Sequence, residues 1–174
     1  MRILCETIRD NFYPKRSDPT RRRNTVRGII LDDCGRVFLM HIQGRDIFGE
    51  RDHFELPGGG IETGESMEQA LRRELLEEIG WEIDAPQPVG IIANEYNLLQ
   101  RVDVQHFFLA RATRFVGQRM TEYERGIVRE VVRVPSREIL SMYDSRAVEN
   151  VGVEIHARDR IAVAEALRCM EQKS

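Results

Sequence analysis

The residues best suited to chemistry stand close together near the middle of the chain. Arg73 is followed by Glu74, Glu77 and Glu78, with apolar residues between them at helical spacing. Like charges three or four residues apart disfavour a helix by roughly 0.2–0.5 kcal/mol for each pair. A divalent cation among the carboxylates removes this repulsion, and carboxylate oxygens are ligands that Mg²⁺ and Mn²⁺ prefer. The segment therefore predicts a metal site.

A glycine-rich turn leads into the acidic segment. The run from Leu56 to Gly60 contains a proline and then three consecutive glycines. Glycine adopts backbone conformations closed to other residues, so the backbone groups of Gly58 and Gly59 can approach a bound ligand closely. A glycine turn alone is weak evidence, but one that runs into an acidic helix predicts a site for metal and phosphate.

The helix that carries the carboxylates has recognisable ends and one apolar face. Ser66 and Gln69 form a capping-box pattern at its start, and Gly80 suits the position just after its last turn. The apolar face consists of Met67, Ala70, Leu71, Leu75 and Ile79. Because Glu74 and Glu78 fall within this face, the helix must place two carboxylates among apolar side chains.

The stretch from Gly59 to Trp81 resembles the Nudix box, G-x5-E-x7-R-E-U-x-E-E-x-G-U, in which U is a bulky apolar residue. The matching residues are Gly59, Glu65, Arg73, Glu74, Leu75, Glu77, Glu78 and Gly80. Only Trp81 departs, since it is aromatic rather than aliphatic. At average residue frequencies such a match arises by chance in roughly 10⁻⁹ of windows. This outweighs the alternative of a solvated helix face on which Arg73 simply pairs with Glu77.

The resemblance implies an enzyme that uses Mg²⁺ or Mn²⁺ to hydrolyse the pyrophosphate linkage of nucleoside diphosphates joined to another moiety. It also implies that Glu74 and Glu78 are the main metal ligands. Glu77 is then a further ligand, directly or through water, and the carbonyl of Gly59 completes the shell. A pyrophosphate is anionic and resists attack by water, so metal ions that neutralise its charge meet the chemical need.

Two supporting roles also follow from the resemblance. Arg73 is expected to pair with Glu65 and to orient the catalytic glutamates from outside the metal shell. Glu74 could instead deprotonate the attacking water, and the sequence leaves both roles open for it.

Residues outside the box are candidates for further contacts. Many Nudix enzymes recruit another acidic residue from a later loop, and Glu122 and Glu124 are the candidates here, against the alternative of exposed loop charges. Tyr96 stands where dinucleoside-polyphosphate hydrolases of the family tend to carry a tyrosine. It either contacts the substrate, by stacking on adenine or bonding a phosphate, or belongs to the core or rim.

A basic cluster precedes the box and consists of Lys15, Arg16, Arg21, Arg22, Arg23 and Arg27. The ordinary interpretation is a solvated face. The alternative is that one or two of these arginines, with Arg27 as the candidate we name, grip substrate phosphates through the planar guanidinium. Dinucleoside polyphosphates, nucleotide sugars and nucleoside triphosphates all remain open as substrates.

Composition limits the class of protein and its partners. With 41% hydrophobic and 32% charged residues, the chain is typical of a soluble globular protein. Its formal net charge of −3 argues against a nucleic-acid or membrane partner and favours a small-molecule nucleotide. No apolar run has transmembrane length, and the first residues lack the apolar core of a signal peptide. Three scattered cysteines are expected to be reduced thiols, so we expect a cytoplasmic protein. A homodimer is a further expectation, because dimers are common in the family.

The rest of the chain predicts one α/β domain. We expect residues 1–24 to be an N-terminal extension and residues 25–174 to be a Nudix domain that includes a C-terminal helix. The predicted strands cover 26–31, 36–42, 53–56, 89–96, 102–112 and 127–134, a polar loop covers 43–52, and helices follow Pro135 and cover 156–171. Strands on both sides of one central helix indicate a mixed sheet between helical layers. This agrees with the Nudix-type α/β/α sandwich that the resemblance implies.

The same scaffold could also serve as a nucleotide sensor or as an isomerase. A Nudix-like domain could sense a nucleotide without hydrolysing it, but such domains can lose the glutamates of the box, and this chain retains all of them. An isopentenyl-diphosphate isomerase would require additional catalytic residues, and the sequence offers no candidates for them.

Overall fold

The computed structural model describes residues 1–172 as strands and helices in the alternation that the sequence predicts. The strands are β1 (Arg21–Leu31), β2 (Arg36–Asp46), β3 (Gly49–Glu55), β4 (Trp81–Ile83), β5 (Gln87–Tyr96), β6 (Arg101–Phe115) and β7 (Val128–Pro135). The helices are α1 (Met67–Glu78), α2 (Glu122–Ile127), α3 (Ile139–Ser145) and α4 (Val151–Glu171). A 3₁₀ turn, Asn97–Leu99, follows β5. In this part of the chain, no helix combines the length and the apolar character that crossing a membrane requires.

The sheet is mixed, as predicted. Strands β1 and β6 run parallel over their shared length, with Arg21 opposite Arg101 and Leu31 opposite Arg111. The other strand pairs are antiparallel: β2 pairs with β1, β3 and β7, and β6 pairs with β4 and β5. This long parallel pair fixes which residues of β6 lie opposite which residues of β1.

Helices cover the sheet on both faces, which confirms the α/β/α sandwich. Side chains alternate between the faces of a strand. Ile30 of β1 therefore packs with Leu71 and Leu75 of α1, whereas Ile29 packs on the opposite face with Val163 of α4. Each of these aliphatic side chains is fully buried, which contributes about 1.5–3 kcal/mol per residue.

Several boundaries differ from the sequence prediction. Residues 43–52 are not a polar loop, because β2 continues to Asp46 and β3 begins at Gly49. Polar cross-strand pairs support this exposed hairpin, including an ion pair of 3.3 Å between Arg45 and Glu50. The prediction of a loop over residues 43–52 was therefore wrong, because polar residues are equally compatible with an exposed hairpin. Strand β1 also begins earlier than the pattern indicates, and helix α2 was not predicted.

Residues 1–20 form an N-terminal arm that lies along the edge of β5. The backbone N–H groups of Leu4 and Ile8 donate to the carbonyls of Ile91 and Ala93 at 3.0 and 2.9 Å. Further along the arm, the carboxylate of Asp10 accepts bonds from the backbone N–H groups of Tyr13, at 3.0 Å, and of Asn97, at 2.8 Å. The arm is thus held by β5 and by the 3₁₀ turn that follows it.

Candidate active site

The glycine-rich turn is anchored to β1 by backbone hydrogen bonds. The N–H of Gly28 donates to the carbonyl of Pro57 at 2.9 Å, and the N–H of Val26 donates to the carbonyl of Gly59 at 2.9 Å. Residues 57–61 consequently run beside β1 much as a short additional strand would. The turn is therefore fixed along β1, and the backbone groups of Gly58 and Gly60 also bond to side chains of α1.

Two glycines of this turn are required by close approach. Gly58 has φ +135°, and a Cβ built on it would lie 2.1 Å from the carbonyl oxygen of Val26. A Cβ on Gly59 would lie 2.5 Å from the carboxylate of Glu74. At Gly58 only hydrogen fits, because the nearest atoms are backbone atoms of β1, whereas a Cβ at Gly59 would displace the Glu74 carboxylate. Gly58 therefore allows the turn to lie close to β1, and Gly59 allows it to lie close to the acidic helix.

Helix α1 forms as predicted and brings its acidic residues to this turn. Ser66 and Gln69 make both hydrogen bonds of the capping box, and Gly80 follows the last turn with φ +74°. Within the helix, Glu74 and Glu78 are buried at 7% and 5% exposure. The N–H of Gly58 donates to Glu78 Oε2 at 2.6 Å. The turn is thus bound to the helix through the Glu78 carboxylate.

Glu124 of α2 completes an acidic triad with Glu74 and Glu78. One carboxylate oxygen from each residue lies within 4.8 Å of the others. Burial raises the pKa of Glu78 well above its ordinary value, and the charges of neighbouring carboxylates add to this effect. Burial also raises the pKa of Glu74, although its ion pair with Arg73 opposes the rise.

Three carboxylates this close, two of them buried, are costly unless a cation lies among them. Oxygen ligands are the donor set that Mg²⁺ and Mn²⁺ favour. The residues present therefore fit a hard divalent cation. The carbonyl of Gly59 retains a lone pair beside its hydrogen bond from Val26, so it remains available as a further ligand.

Arg73 joins the turn to the helix, in the arrangement that the sequence predicts. Its guanidinium lies 2.7 Å from Glu65 and 2.8 Å from Glu74, and it donates to the carbonyl of Gly60 at 2.9 Å. A longer contact of 3.3 Å reaches Glu77. Arg73 is thus held by several bonds, and its bond to Glu74 Oε1 orients that carboxylate before any ligand binds.

Two of the predicted acidic residues lie outside the triad. Glu77 faces Arg73 on the flank of the helix, so the structure places it beside the ion-pair network. Glu122 is exposed in the first turn of α2. Glu124 of the same turn reaches the triad and also accepts the backbone N–H of Thr121 at 2.6 Å. The structure thus separates the two acidic residues that we did not distinguish from the sequence.

The triad opens onto a cavity of about 360 Å³. Arg23 and Arg27, four residues apart on the same face of β1, both line it. Arg27 donates to the carbonyl of Leu56 at 2.9 Å and to Gln105 at 3.3 Å. Arg23 lies over Gly60 and makes no hydrogen bond or ion pair within residues 1–172. The remaining members of the basic cluster do not line the cavity.

The inner wall of the cavity is aromatic and includes the predicted Tyr96. This tyrosine is 7% exposed, and its ring centroid is 6.1 Å from that of Phe48. Tyr13 of the N-terminal arm also packs against Phe48, with ring centroids 5.8 Å apart. Tyr96 is therefore both a buried residue and a wall of the cavity, so the two interpretations of it are compatible.

Sequence reasoning missed several charged residues of the cavity. Glu55 is one of these, and although burial opposes its ionisation, the nearby charges of Arg27 and Arg51 hold its pKa at about 2. Another is Arg158 of α4, which is completely buried. The sequence did contain an indication for Arg158, because at helical spacing it falls on the same face of α4 as Ile155 and Ala162.

Comparison with known proteins gives one matching family model and several relatives of similar sequence. The family model described as the NUDIX domain matches residues 21–149. Over 98 residues the chain is 44% identical to an 8-oxo-dGTP diphosphatase of Haemophilus influenzae, which covers 52% of this chain and 62% of that protein. Over 51 residues it is 43% identical to an RNA pyrophosphohydrolase of Wolbachia sp. subsp. Brugia malayi, which covers 27% and 32%. The matches thus span less than two thirds of the length of these relatives.

Solved structures share the architecture. A MutT NUDIX hydrolase from Burkholderia pseudomallei superposes with a TM-score of 0.59 at 19% identity, covering 83% of this chain and 97% of that one. An ADP compounds hydrolase superposes with a TM-score of 0.63 at 16% identity, covering 87% and 75%. At these identities the likeness concerns the fold alone. The family model, however, matches well over half of the chain, and the protein therefore belongs to the NUDIX domain family.

Proposed function

We propose that the protein hydrolyses the pyrophosphate linkage of nucleoside diphosphates joined to another moiety, with nucleoside triphosphates as the first substrates to test. The acidic triad beside two cavity-lining arginines is the observation that carries this proposal. The names of two relatives, an 8-oxo-dGTP diphosphatase and an oxidized purine nucleoside triphosphate hydrolase of Danio rerio, favour triphosphates over dinucleoside polyphosphates and nucleotide sugars.

The triad residues Glu74, Glu78 and Glu124 would hold Mg²⁺ or Mn²⁺, with the carbonyl of Gly59 as a further ligand. Glu77 would contribute through water, since its carboxylate faces Arg73. When bound, the metal neutralises phosphate charge and lowers the pKa of water. This donor set combines carboxylates and a carbonyl, which matches the preferences of both cations.

The protein's own residues orient the carboxylates and the substrate. Arg73 binds Glu74 Oε1, which leaves Oε2 of the same carboxylate to bind the metal or, in the alternative role of Glu74, to accept a proton from the attacking water. The N–H of Gly58 fixes Glu78. Arg23 and Arg27 are placed to contact phosphate oxygens, for which the planar guanidinium is well suited. Tyr96 offers a flat surface to the base.

Replacement of Glu78 by Gln tests the proposal. The purified protein and the variant are incubated with Mg²⁺ or Mn²⁺ and a panel of nucleoside triphosphates, diadenosine polyphosphates, ADP-ribose and nucleotide sugars. We expect wild-type turnover, and a loss in the variant on the order of 100-fold or more, as when a catalytic group is removed. Glu68→Gln is the matched control, because Glu68 lies on the same helix but is exposed and pairs with Arg72.

The outcomes separate the alternatives. Full activity of Glu78→Gln would refute the metal-site assignment. Wild-type protein that binds nucleotides but hydrolyses none of the panel would instead support the nucleotide-sensing domain. A cytoplasmic location and a homodimer remain proposals, and size-exclusion chromatography with light scattering tests the second.

A further inference from the structure

Arg158 is a buried cation that its neighbours only partly satisfy. Its side chain is 0% exposed, and its Nε donates to Asp159 Oδ1 at 2.6 Å. The other nearby carboxylate, Glu55, lies 4.0 Å from Nη2, beyond hydrogen-bond distance. Within residues 1–172, Nη1 and Nη2 have no hydrogen-bond acceptor. The outer edge of the guanidinium therefore presents two donors without partners.

A structural role accounts for only one side of this arginine. Asp159 also accepts the backbone N–H of Leu56 at 2.8 Å, so the pair ties α4 to the start of the glycine-rich turn. That role uses Nε and leaves both terminal nitrogens unexplained. Buried donors without acceptors are rare, because each lost hydrogen bond to water is costly. A ligand that supplies two acceptors would remove this cost.

The position of Arg158 connects it with the cavity. It lines the same cavity as Tyr96 and Ile155. Arg158 follows Ile155 by about one turn of α4, and Ile155 packs in one cluster with Tyr96 and Phe48. Arg158 therefore lies next to the aromatic wall, although its guanidinium and that of Arg27 both lie 4.0 Å from Glu55. If phosphates bind at the triad, the group that reaches Arg158 is the base.

We propose that Arg158 is a specificity-determining residue that donates Nη1–H and Nη2–H to the O6 and N7 acceptors of a guanine or hypoxanthine base. This proposal rests on the proposed function for the orientation of the nucleotide. Guanine presents O6 and N7 as adjacent acceptors that match the two parallel donors of an arginine. Adenine presents N7 beside a donor, the N6 amino group, and would leave one Arg158 donor unpaired. Tyr96 and Phe48 supply the aromatic surface beside the base.

Binding of nucleoside monophosphates to the full chain tests this without requiring turnover. Calorimetry with GMP, IMP, 7-deaza-GMP and AMP should give dissociation constants at least about tenfold lower for GMP and IMP than for AMP, the lower end of what one bidentate pair provides. 7-Deaza-GMP, which lacks the N7 acceptor, should bind more weakly than GMP. The same base preference should appear in hydrolysis of dGTP, dITP and dATP.

Arg158→Lys keeps the charge but removes the paired donors, so it should reduce the preference for GMP over AMP to less than about threefold. Arg160→Lys is the control, because Arg160 lies on the same helix and pairs with Asp144 at the surface. The wild-type comparison of bases stands even if Arg158→Lys folds poorly. Equal affinity of the wild-type protein for GMP and AMP would overturn the proposal. An equal loss of affinity for both nucleotides in Arg158→Lys would also overturn it, because such a loss indicates that Arg158 contacts the phosphate.

The two proposals fail separately. A base preference without hydrolysis of any member of the panel would overturn the proposed function and leave the role of Arg158 intact. Equal hydrolysis of dGTP and dATP would leave the proposed function intact and overturn the role of Arg158.

Discussion

Glu154 of α4 is a carboxylic acid that the fold places against another carboxylate. It is 4% exposed, its Oε1 accepts the backbone N–H of Asn11 at 3.2 Å, and its Oε2 has no hydrogen-bond partner within residues 1–172. Burial, and then the charges of Asp10 and Glu95, raise its pKa to about 8. Tyr13 of the arm lies in the same environment. At neutral pH, Glu154 is therefore mainly protonated in the folded protein.

The sign and size of the effect on stability follow from this pKa. Between the ordinary pKa of 4.5 and the folded value of about 8, the folded protein holds a proton that the unfolded chain has released. The free energy of unfolding therefore falls as pH rises, by ~1.4 kcal/mol for each pH unit. From pH 6 to pH 8 the loss is about 2–3 kcal/mol, and above pH 8 it levels off.

Replacement of Glu154 by Gln should remove this dependence. Gln mimics the protonated acid, so the variant should match wild type near pH 5 and exceed its stability at pH 9. The measurement is urea unfolding from pH 5 to pH 9, with Glu171→Gln, an exposed position of the same helix, as the control. Parallel stability curves for wild type and Glu154→Gln across this range would refute the reasoning, because Glu154 would then not titrate differently in the folded state.

Three further perturbations test the glycine-rich turn and its helix. Gly58→Ala should lower the free energy of unfolding by about 2–4 kcal/mol, because the added Cβ clashes with β1 and the backbone is strained. Gly64→Ala, where φ is also positive but the surroundings are open, should cost only ~1 kcal/mol. Equal decreases in melting temperature for the two variants would contradict this. Arg73→Lys should reduce turnover of the panel by roughly 10- to 100-fold with little change in melting temperature, because one ammonium cannot make all four contacts. Unchanged activity would exclude an orienting role. Ser66→Ala should cost about 0.5–2 kcal/mol in urea unfolding through loss of the helix cap, and no loss would mean that packing alone fixes the start of α1.

The acidic helix could be predicted because its signals are local. The capping box at Ser66, the apolar period and Gly80 all lie within the helix or next to it, and each acts over a few residues. The pairing of Arg73 with Glu65 could be anticipated from the resemblance to the Nudix box, whereas its bond to the carbonyl of Gly60 was not predicted. The same local logic fails for residues 43–52, where polarity is compatible with either a loop or an exposed hairpin.

The cavity could not be predicted because it depends on distant segments. The parallel register of β1 with β6 places Arg23 opposite Asp103, and no short-range pattern encodes that pairing. Arg158 reaches the cavity from a helix that follows the box by many residues. Glu124, by contrast, has a local signal that separates it from Glu122, since Thr121 and Glu124 form a capping-box pattern that was not recognised.

The N-terminal arm also has a consequence for the behaviour of the protein at high concentration. Strand β5 has β6 on one side, and on the other the arm occupies the backbone groups of Ile91, Ala93 and Glu95. An uncovered strand edge is a template on which other chains can pair and aggregate. A chain that begins at Arg21 would expose this edge. Proteolytic loss of the first 20 residues should therefore favour self-association through β5, even with the acidic helix and its turn unchanged.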